Sequence, residues 1–206
     1  VHKPPDWEVD QGGVDSWDSG PASCLSFWLR ALLPRRRHPV VGDAACQRGF
    51  LHRLDVPSSG LVLASKTYAA HYDLLLQLSS GAMVRDYYTL CHGWLPLGRR
   101  SISAPVRWRR GSGLPSEIAR SGRPSRTRLK VRSHALYMGR AVSLLEVRIS
   151  TGRQHQIRVH CAHVGHATLC DGRYAALDTL LADSEWCPRN FLHRWRVVFQ
   201  DAAGIE

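Results

Sequence analysis

Asp55 is the one carboxylate between Gly49 and Lys66, where it follows His52-Arg53-Leu54 and precedes Val56-Pro57-Ser58-Ser59-Gly60. Apolar residues on both sides suggest a buried strand, and the Pro-Ser-Ser-Gly breaker should leave Asp55 near a strand end. A carboxylate at the edge of a core has its charge state set by desolvation and by cationic neighbours. Two uses fit that position. Asp55 can open a turn and pair with Arg53, a common structural role, or it can be an ionised group aimed at a substrate.

A second stretch, from Ser150 to His166, gathers Arg153, Arg158 and the histidines 155, 160, 163 and 166 around Cys161. Ser150 or Thr151 is suited to cap a helix that Gly165 ends. Ile157, Cys161 and Val164 then share the packed face. Arg158 falls about 100° from Ile157, at the margin of that face, from which a cation can reach into a cleft. Arg153 would lie in the first turn, where free backbone N–H groups favour an anion. The histidines and Cys161 raise zinc as a possibility. A single short helix would have to supply every ligand, however, and the side chains point around it in several directions. Structural or RNA-facing histidines, with no metal, are the expectation.

The elements that must position these residues belong to a chain of 206 residues, enough for one sizeable core. No apolar run approaches the roughly 18–20 residues of a membrane span, the best candidate near Leu25–Leu33 being broken by Arg30. The six cysteines form no CxxC pair and no regular framework, so reduced thiols in an intracellular protein, of cytoplasm or organelle, are expected. The net charge is +11, and 25 of the 28 basic residues are arginine. Arginine stacks on bases and grips phosphate bidentately. Eleven basic residues and a single acid, Glu117, lie between Arg99 and Arg132. This segment, with Arg107, Arg109, Arg110, Arg126 and Arg128, reads as an arm facing a polyanion. The run Arg35-Arg36-Arg37 is shorter and ambiguous. Neither basic segment has the apolar helical face of a membrane-surface helix.

Along the chain, Lys3-Pro4-Pro5 and the residues up to Pro21 read as an edge strand and a loop. Ser23 can cap a helix over Cys24–Leu33, and Arg35–Arg48 reads as a polar connection. Thr67 can cap a helix from Tyr68 to Leu78 that Gly81 closes, packed through Tyr68, Tyr72, Leu75 and Leu76. Tyr87–Leu90, Thr127–Val131 and Val142–Ile149 are strands, the last with Ser143, Leu145, Val147 and Ile149 on one face. Strands and helices without regular alternation predict an α+β fold, a single domain over residues 1–206 with a mostly antiparallel mixed sheet flanked by helices and loops.

His52-Arg53-Leu54-Asp55 with Ser58-Ser59-Gly60-Leu61 resembles the HRLDxxTSGL signature of the RluA family of pseudouridine synthases. Thr151-Gly152-Arg153-Gln154-His155-Gln156-Ile157-Arg158-Val159-His160 is similar to its TGRxHQIRxH motif. His2-Lys3-Pro4-Pro5 resembles its KPxG strand, and Leu192-His193 its closing strand. Arg85-Asp86-Tyr87-Tyr88-Thr89-Leu90-Cys91-His92-Gly93 follows the KxYxAxVxG strand loosely, with Arg for Lys, Thr for Ala and Cys for Val. Counting back from Gly93 selects Tyr87 as the active-site tyrosine, with adjacent Tyr88 as the alternative.

The resemblance implies a pseudouridine-synthase catalytic domain acting on rRNA or tRNA without cofactor or metal. The N1–C1′ bond of a uridine breaks, the uracil turns, and C5 bonds to C1′. Asp55 would be the nucleophile or the base on the sugar, and Arg158 would pair with it and hold it ionised. Tyr87 would stack on the uracil, and Leu54 and Ile157 would keep water from the detached base. Flipping the target nucleotide out of its helix costs a few kcal/mol. Arg53 could fill the vacated place, with Arg153, His155 and the basic arm holding flanking RNA. A monomer is expected, without the S4-type RNA-binding domain that often precedes this domain, and the abrupt ends suggest a fragment of a longer polypeptide. Two rival readings are a catalytically silent RNA-binding or RNA-folding module of the same fold, and a zinc-dependent protein built on the histidine helix.

Overall fold

The computed structural model describes residues 1–10, 23–109 and 114–201. Two compact units divide the chain: unit 1 takes Val1–Val84 and the residues from Val197 on, and unit 2 takes Arg85–Arg196. The α+β class predicted from the sequence is the one observed, with antiparallel strands, flanking helices and long loops.

In unit 1, β1 (His2–Lys3) pairs antiparallel with β2 (Ser59–Leu61), His2 opposite Leu61 and Lys3 opposite Gly60. Helix α1 runs Leu25–Leu32. Ser23 does not cap it. The N–H groups of Leu25 and Ser26 are satisfied by the carbonyls of Glu8 and Val9, so the preceding chain does the work a side chain would have done. The connection predicted to be polar folds into two short 3₁₀ turns, Pro39–Gly42 and Gln47–Gly49, and buries Val40 and Val41 completely. Helix α2 covers Tyr68–Ser80, with the Ala70 N–H donating to Thr67 Oγ1 at 3.2 Å and Gly81 left-handed at φ 79°, as its caps predict. Its packed face is rotated from the expected one. Tyr68, Tyr72 and Leu76 are exposed, while Leu74 joins Leu51 and Met83 in a core flanked by Leu63, Leu75, Leu78, Val197 and Phe199. Tyr68 instead donates to an Asp43 carboxylate oxygen at 3.1 Å.

Unit 2 is built on strands in the order β9, β3, β8, β7, β4. These are β3 (Val84–His92), β4 (Ser101–Ser103), β7 (Arg126–Tyr137), β8 (Arg140–Ile149) and β9 (Leu192–Val198). A ribbon of β5 (Val106–Arg107) and β6 (Glu117–Ile118) lies in the basic arm, which is short-stranded as expected. The register puts Tyr87 opposite Val147 and Val147 opposite Leu129, so these three share one face. Asp86, Arg148 and Arg128 form the neighbouring row and therefore point to the other face. Ser143, Leu145, Val147 and Ile149 are all buried, which is the alternation read from the sequence. Helices α3 (Gln156–His163) and α4 (Leu177–Ser184) complete the unit.

Candidate active site

In unit 1, the Asp55 carbonyl accepts the Ser58 N–H at 3.0 Å, closing a tight turn with Val56 and Pro57 at its centre. The structural reading of Asp55 as a turn-opening residue therefore holds as geometry. Asp55 is half-buried, Leu54 beside it is buried and Arg53 is exposed. The loop is closed at its base by an antiparallel bridge between Phe50 and Ala64 and by the Ser65 N–H donating to the Gly49 carbonyl at 2.8 Å. Gly49 has φ 85°, and a side chain there would meet the Ser65 carbonyl at 2.8 Å, so this position requires glycine.

Lys3 fixes the other side of the turn. It is fully buried, and its Nζ donates to the carbonyls of Pro4, Trp7 and Val56 at 2.9, 2.7 and 2.9 Å. The Val56 carbonyl also accepts the Asp6 N–H at 2.8 Å. The ammonium group thus ties β1 to the peptide immediately after Asp55. The sequence shows this lysine only as part of the Lys-Pro-Pro segment, and its contact lies 53 residues away.

In unit 2, Tyr87 and Tyr88 diverge as strand neighbours must. Tyr87 is buried, and its hydroxyl accepts from Arg194 Nε at 2.9 Å, with the guanidinium 5.1 Å from the ring centroid. Arg85, two residues before Tyr87 on the same face, is buried and donates to the Ser150 carbonyl at 2.9 Å. Burial pushes the Arg85 guanidinium below the ordinary arginine value, opposed by Tyr87 and assisted by Arg194. Tyr88 lies on the other face, stacked on Trp195 at 5.3 Å.

The segment before α3 departs from the expected helix. Residues 150–154 form a loop, and His155 enters the helix left-handed at φ 54° without a capping side chain. The Thr151 hydroxyl donates to Gln156 Oε1 at 2.8 Å and the Arg153 N–H donates to the same oxygen at 3.1 Å, so the glutamine side chain organises the turn. Arg153 therefore sits before the helix rather than in its first turn. Its Nε is buried and has no hydrogen-bond partner among the described residues.

Arg158 is not at a solvent margin, because Gln156 through Cys161 are buried on every side of the helix. Its Nε and Nη2 donate to the two oxygens of Asp171 at 2.8 and 2.6 Å, a bidentate pair almost wholly removed from water. Asp171 also accepts from the Thr168 hydroxyl at 2.8 Å and the Arg173 N–H at 3.1 Å. Burial drives the Asp171 carboxyl up, but the Arg158 guanidinium and these hydrogen bonds outweigh it and hold it below the ordinary carboxylate value. The guanidinium lies 5.3 Å from the Tyr174 ring centroid. The Tyr174 hydroxyl donates to the Ser116 carbonyl at 2.9 Å and accepts from His155 Nδ1 at 3.0 Å. Asp55, the partner that the resemblance implies for Arg158, belongs to unit 1.

His160 is fully buried. Its Nε2 donates to the Ala104 carbonyl at 3.0 Å, so in the neutral ring Nδ1 accepts from the Thr127 hydroxyl at 2.8 Å, and Gln156 Nε2 donates to the same Thr127 oxygen at 3.2 Å. Burial lowers its pKa below the ordinary histidine value, partly opposed by the Ala104 bond, and so favours the neutral ring. His166 donates separately to the His92 carbonyl at 2.7 Å. Among the described residues no three histidine, cysteine or acidic side chains converge as a metal site would require.

Of the basic arm, Arg107 pairs with Glu117 at 2.8 Å. Arg109 and Arg126 are exposed, and Arg110 lies outside the described residues. Arg128 is exposed on the sheet face opposite Tyr87. Arg194 and Asp171 escaped the sequence reading. Arg194 carries no local signal in a strand of mixed character. Asp171-Gly172 does read as a turn, but nothing local ties it to Arg158.

Residues 1–163 match the family of RNA pseudouridylate synthases. Ribosomal large subunit pseudouridine synthase D of Nitrosomonas europaea is 34% identical over 160 residues, covering 72% of the chain and 43% of that protein. Ribosomal large subunit pseudouridine synthase C of Buchnera aphidicola is 32% identical over 154 residues, covering 73% and 48%. The chain thus spans about half the length of the curated relatives it matches. The solved structure of human RNA pseudouridylate synthase domain containing 1 superposes with a TM-score of 0.64 at 28% identity, over 72% of the chain and 62% of that protein.

Proposed function

The chain belongs to the RNA pseudouridylate synthase family, and on that premise we propose that it isomerises uridine to pseudouridine within rRNA or tRNA, with residues 1–206 serving as one catalytic domain. The observation that carries this reading is the Asp55 turn. A half-buried aspartate follows a buried leucine and an exposed arginine on a loop pinned by a fully buried lysine. Such pinning suits a group that must meet a ribose carbon in a fixed direction.

Asp55 acts on the ribose as nucleophile or base while the N1–C1′ bond breaks. The uracil turns and C5 bonds to C1′, the C5 proton leaves and N1, freed from the sugar, takes up a proton, so atoms balance without an external reactant. Arg158 supports the ionised Asp55, and Asp171 in turn holds the Arg158 guanidinium in one orientation. Tyr87, its hydroxyl engaged by Arg194, provides the ring against which the uracil stacks. Leu54 and Ile157 exclude water. Arg53 fills the gap left by the flipped nucleotide, and Arg153, His155, Arg107, Arg109, Arg110, Arg126 and Arg128 contact RNA. The protein works as a monomer inside the cell. Among the described residues no helix is long and apolar enough to cross a membrane.

The test uses RNA carrying tritium at uridine C5, starting with large-subunit rRNA because the two named relatives carry that substrate in their names. The protein should release tritium, and Asp55→Asn should reduce release by at least ~1,000-fold, within the range for loss of a positioned catalytic group. No release from total cellular RNA would overturn the reading, and RNA binding without release would favour the silent module.

A further inference from the structure

The sheet of unit 2 has a second face that the reaction does not use. Arg128 on β7 stands directly opposite Arg148 on β8, which stands directly opposite Asp86 on β3. Arg148 grips Asp86 at 2.6 and 2.8 Å, and Arg196 reaches the same carboxylate at 3.4 Å. Asp86 is buried beneath them, whereas the Arg148 and Arg196 side chains are 46% and 48% exposed. Two guanidinium groups therefore share one carboxylate, and a third arginine, Arg128, faces Arg148 across the strands. One row along, Lys130 is opposite Glu146, but Glu146 is paired with Arg132. The stacked Tyr88–Trp195 pair adjoins the charged rows, with Trp195 37% exposed.

This arrangement works against the stability of the free protein. Like charges directly opposite one another on adjacent strands are destabilising, and Arg128 against Arg148 is such a pair, in which Arg128 has no acidic partner among the described residues. A bound polyanion would remove the repulsion. Arginine forks match phosphate oxygens bidentately, and the exposed Trp195, stacked on half-buried Tyr88, offers a π-face to an unpaired base. An acidic protein surface would satisfy the charges but leave the aromatic pair unused.

We propose that the face of the sheet opposite Tyr87, through Arg128, Lys130, Arg148 and Arg196 with Tyr88 and Trp195, binds the sugar–phosphate backbone of RNA outside the target nucleotide. The proposal rests on the RNA-modifying reading and adds to it a second contact surface. Arg128 thereby holds RNA distant from the reacting uridine rather than the phosphates that flank it. The Arg35–Arg37 run is not needed for this surface.

The experiment measures RNA affinity as a function of salt for the wild type and for Arg128→Gln/Lys130→Gln, a change that leaves both acid-paired arginines in place. The probes are a long structured RNA and polyglutamate. The double variant should lower the slope of log affinity against log salt for the long RNA by about 2, about 1 per phosphate contact. Arg128→Lys/Lys130→Arg should restore the slope. The melting temperature of Arg128→Gln alone should equal or exceed that of the wild type, since the repulsive pair is relieved while Lys130 still faces Glu146, and a lower value would overturn the strain argument. A slope unchanged from wild type overturns the proposal, as does tighter binding of polyglutamate than of RNA at equal charge. The salt slope is read without turnover, so a protein that releases no tritium defeats the isomerase reading while this face is still judged by binding.

Discussion

Asp55 and Asp171 are both aspartates that open turns, yet the two units hold them by different means. In unit 1 the backbone around Asp55 is fixed by Lys3 and by paired strands, and the residue is half-buried. In unit 2 the Asp171 carboxylate is fully buried and takes two bonds from Arg158, one from Thr168 and one from Arg173. The first arrangement fixes the backbone around its aspartate and the second fixes the carboxylate itself. The proposed chemistry at Asp55 needs the former, and orientation of a neighbouring cation needs the latter.

The contrast breaks first at Asp55. Asp55→Asn should cost at least ~1,000-fold in turnover, about 4 kcal/mol of barrier, while the melting temperature moves little, because the turn is held through its backbone. A large loss of stability would reassign Asp55 to a structural role. Asp171→Ala should do the reverse. It leaves Arg158 charged and buried without its partner, a loss of ~3–5 kcal/mol of folding stability measurable by denaturant titration. The double change Arg158→Met/Asp171→Leu should recover most of that loss and remain inactive. Recovery of activity along with stability would show that Arg158 is scaffold only.

Lys3 joins the comparison from the side of unit 1. Lys3→Met keeps the aliphatic stem and removes the ammonium, leaving the Pro4 and Trp7 carbonyls short of a donor, whereas Val56 retains the Asp6 N–H. The expected cost is ~1–3 kcal/mol of stability. Turnover should fall more than binding, because the peptide after Asp55 is loosened. Equal stability in Lys3→Met and wild type would remove Lys3 from the positioning of the turn.

How far these roles could be read from the sequence depends on how local their causes are. The Asp55 turn, the caps of α2 and the inward row Ser143, Leu145, Val147 and Ile149 rest on neighbours in the chain, and they emerge as expected. The helix α3 is also found, but it starts later than its cap residues predict and is buried on every side, so the amphipathic face read from Ile157, Cys161 and Val164 does not put Arg158 at a margin. The capping of α1 by Glu8 and Val9, the rotated face of α2 and the reach of Lys3 to Val56 are likewise contacts between separated segments. Arg128 shows the same limit in the charge pattern. Composition marks it as polyanion-facing, but only the register of β7 against β8 says which face it occupies.

Acid should expose the difference in two steps. His160 has its folded pKa lowered, so the unfolded chain takes the proton more readily, and stability begins to fall as pH drops below the ordinary histidine value of 6.5. Asp171 is also lowered. Its contribution is fully present above the ordinary carboxylate value of 3.8 and is lost as pH falls through the folded value. Melting temperature against pH should therefore show a shallow decline beginning near neutrality and a steeper one in strong acid. His160→Gln should flatten the first, and Asp171→Asn the second. A single decline unaffected by His160→Gln would show that the ring is not the neutral link between Thr127 and Ala104.

The smallest effect separates two adjacent residues. Tyr87→Phe removes the acceptor of Arg194 Nε inside a buried site, so it should cost ~1–3 kcal/mol of stability and lower turnover. Tyr88→Phe keeps the ring that stacks on Trp195 and deletes only a hydroxyl on the opposite face of the strand, so stability should stay within about 0.5 kcal/mol of wild type and turnover should not change. Measured side by side, the pair asks whether the strand's alternation, rather than its sequence likeness, selects the tyrosine used. If Tyr88→Phe proved the more damaging of the two, the face carrying Arg194 and Arg85 would not be the one that meets the uracil, and the assignment of Tyr87 would have to be exchanged for its neighbour.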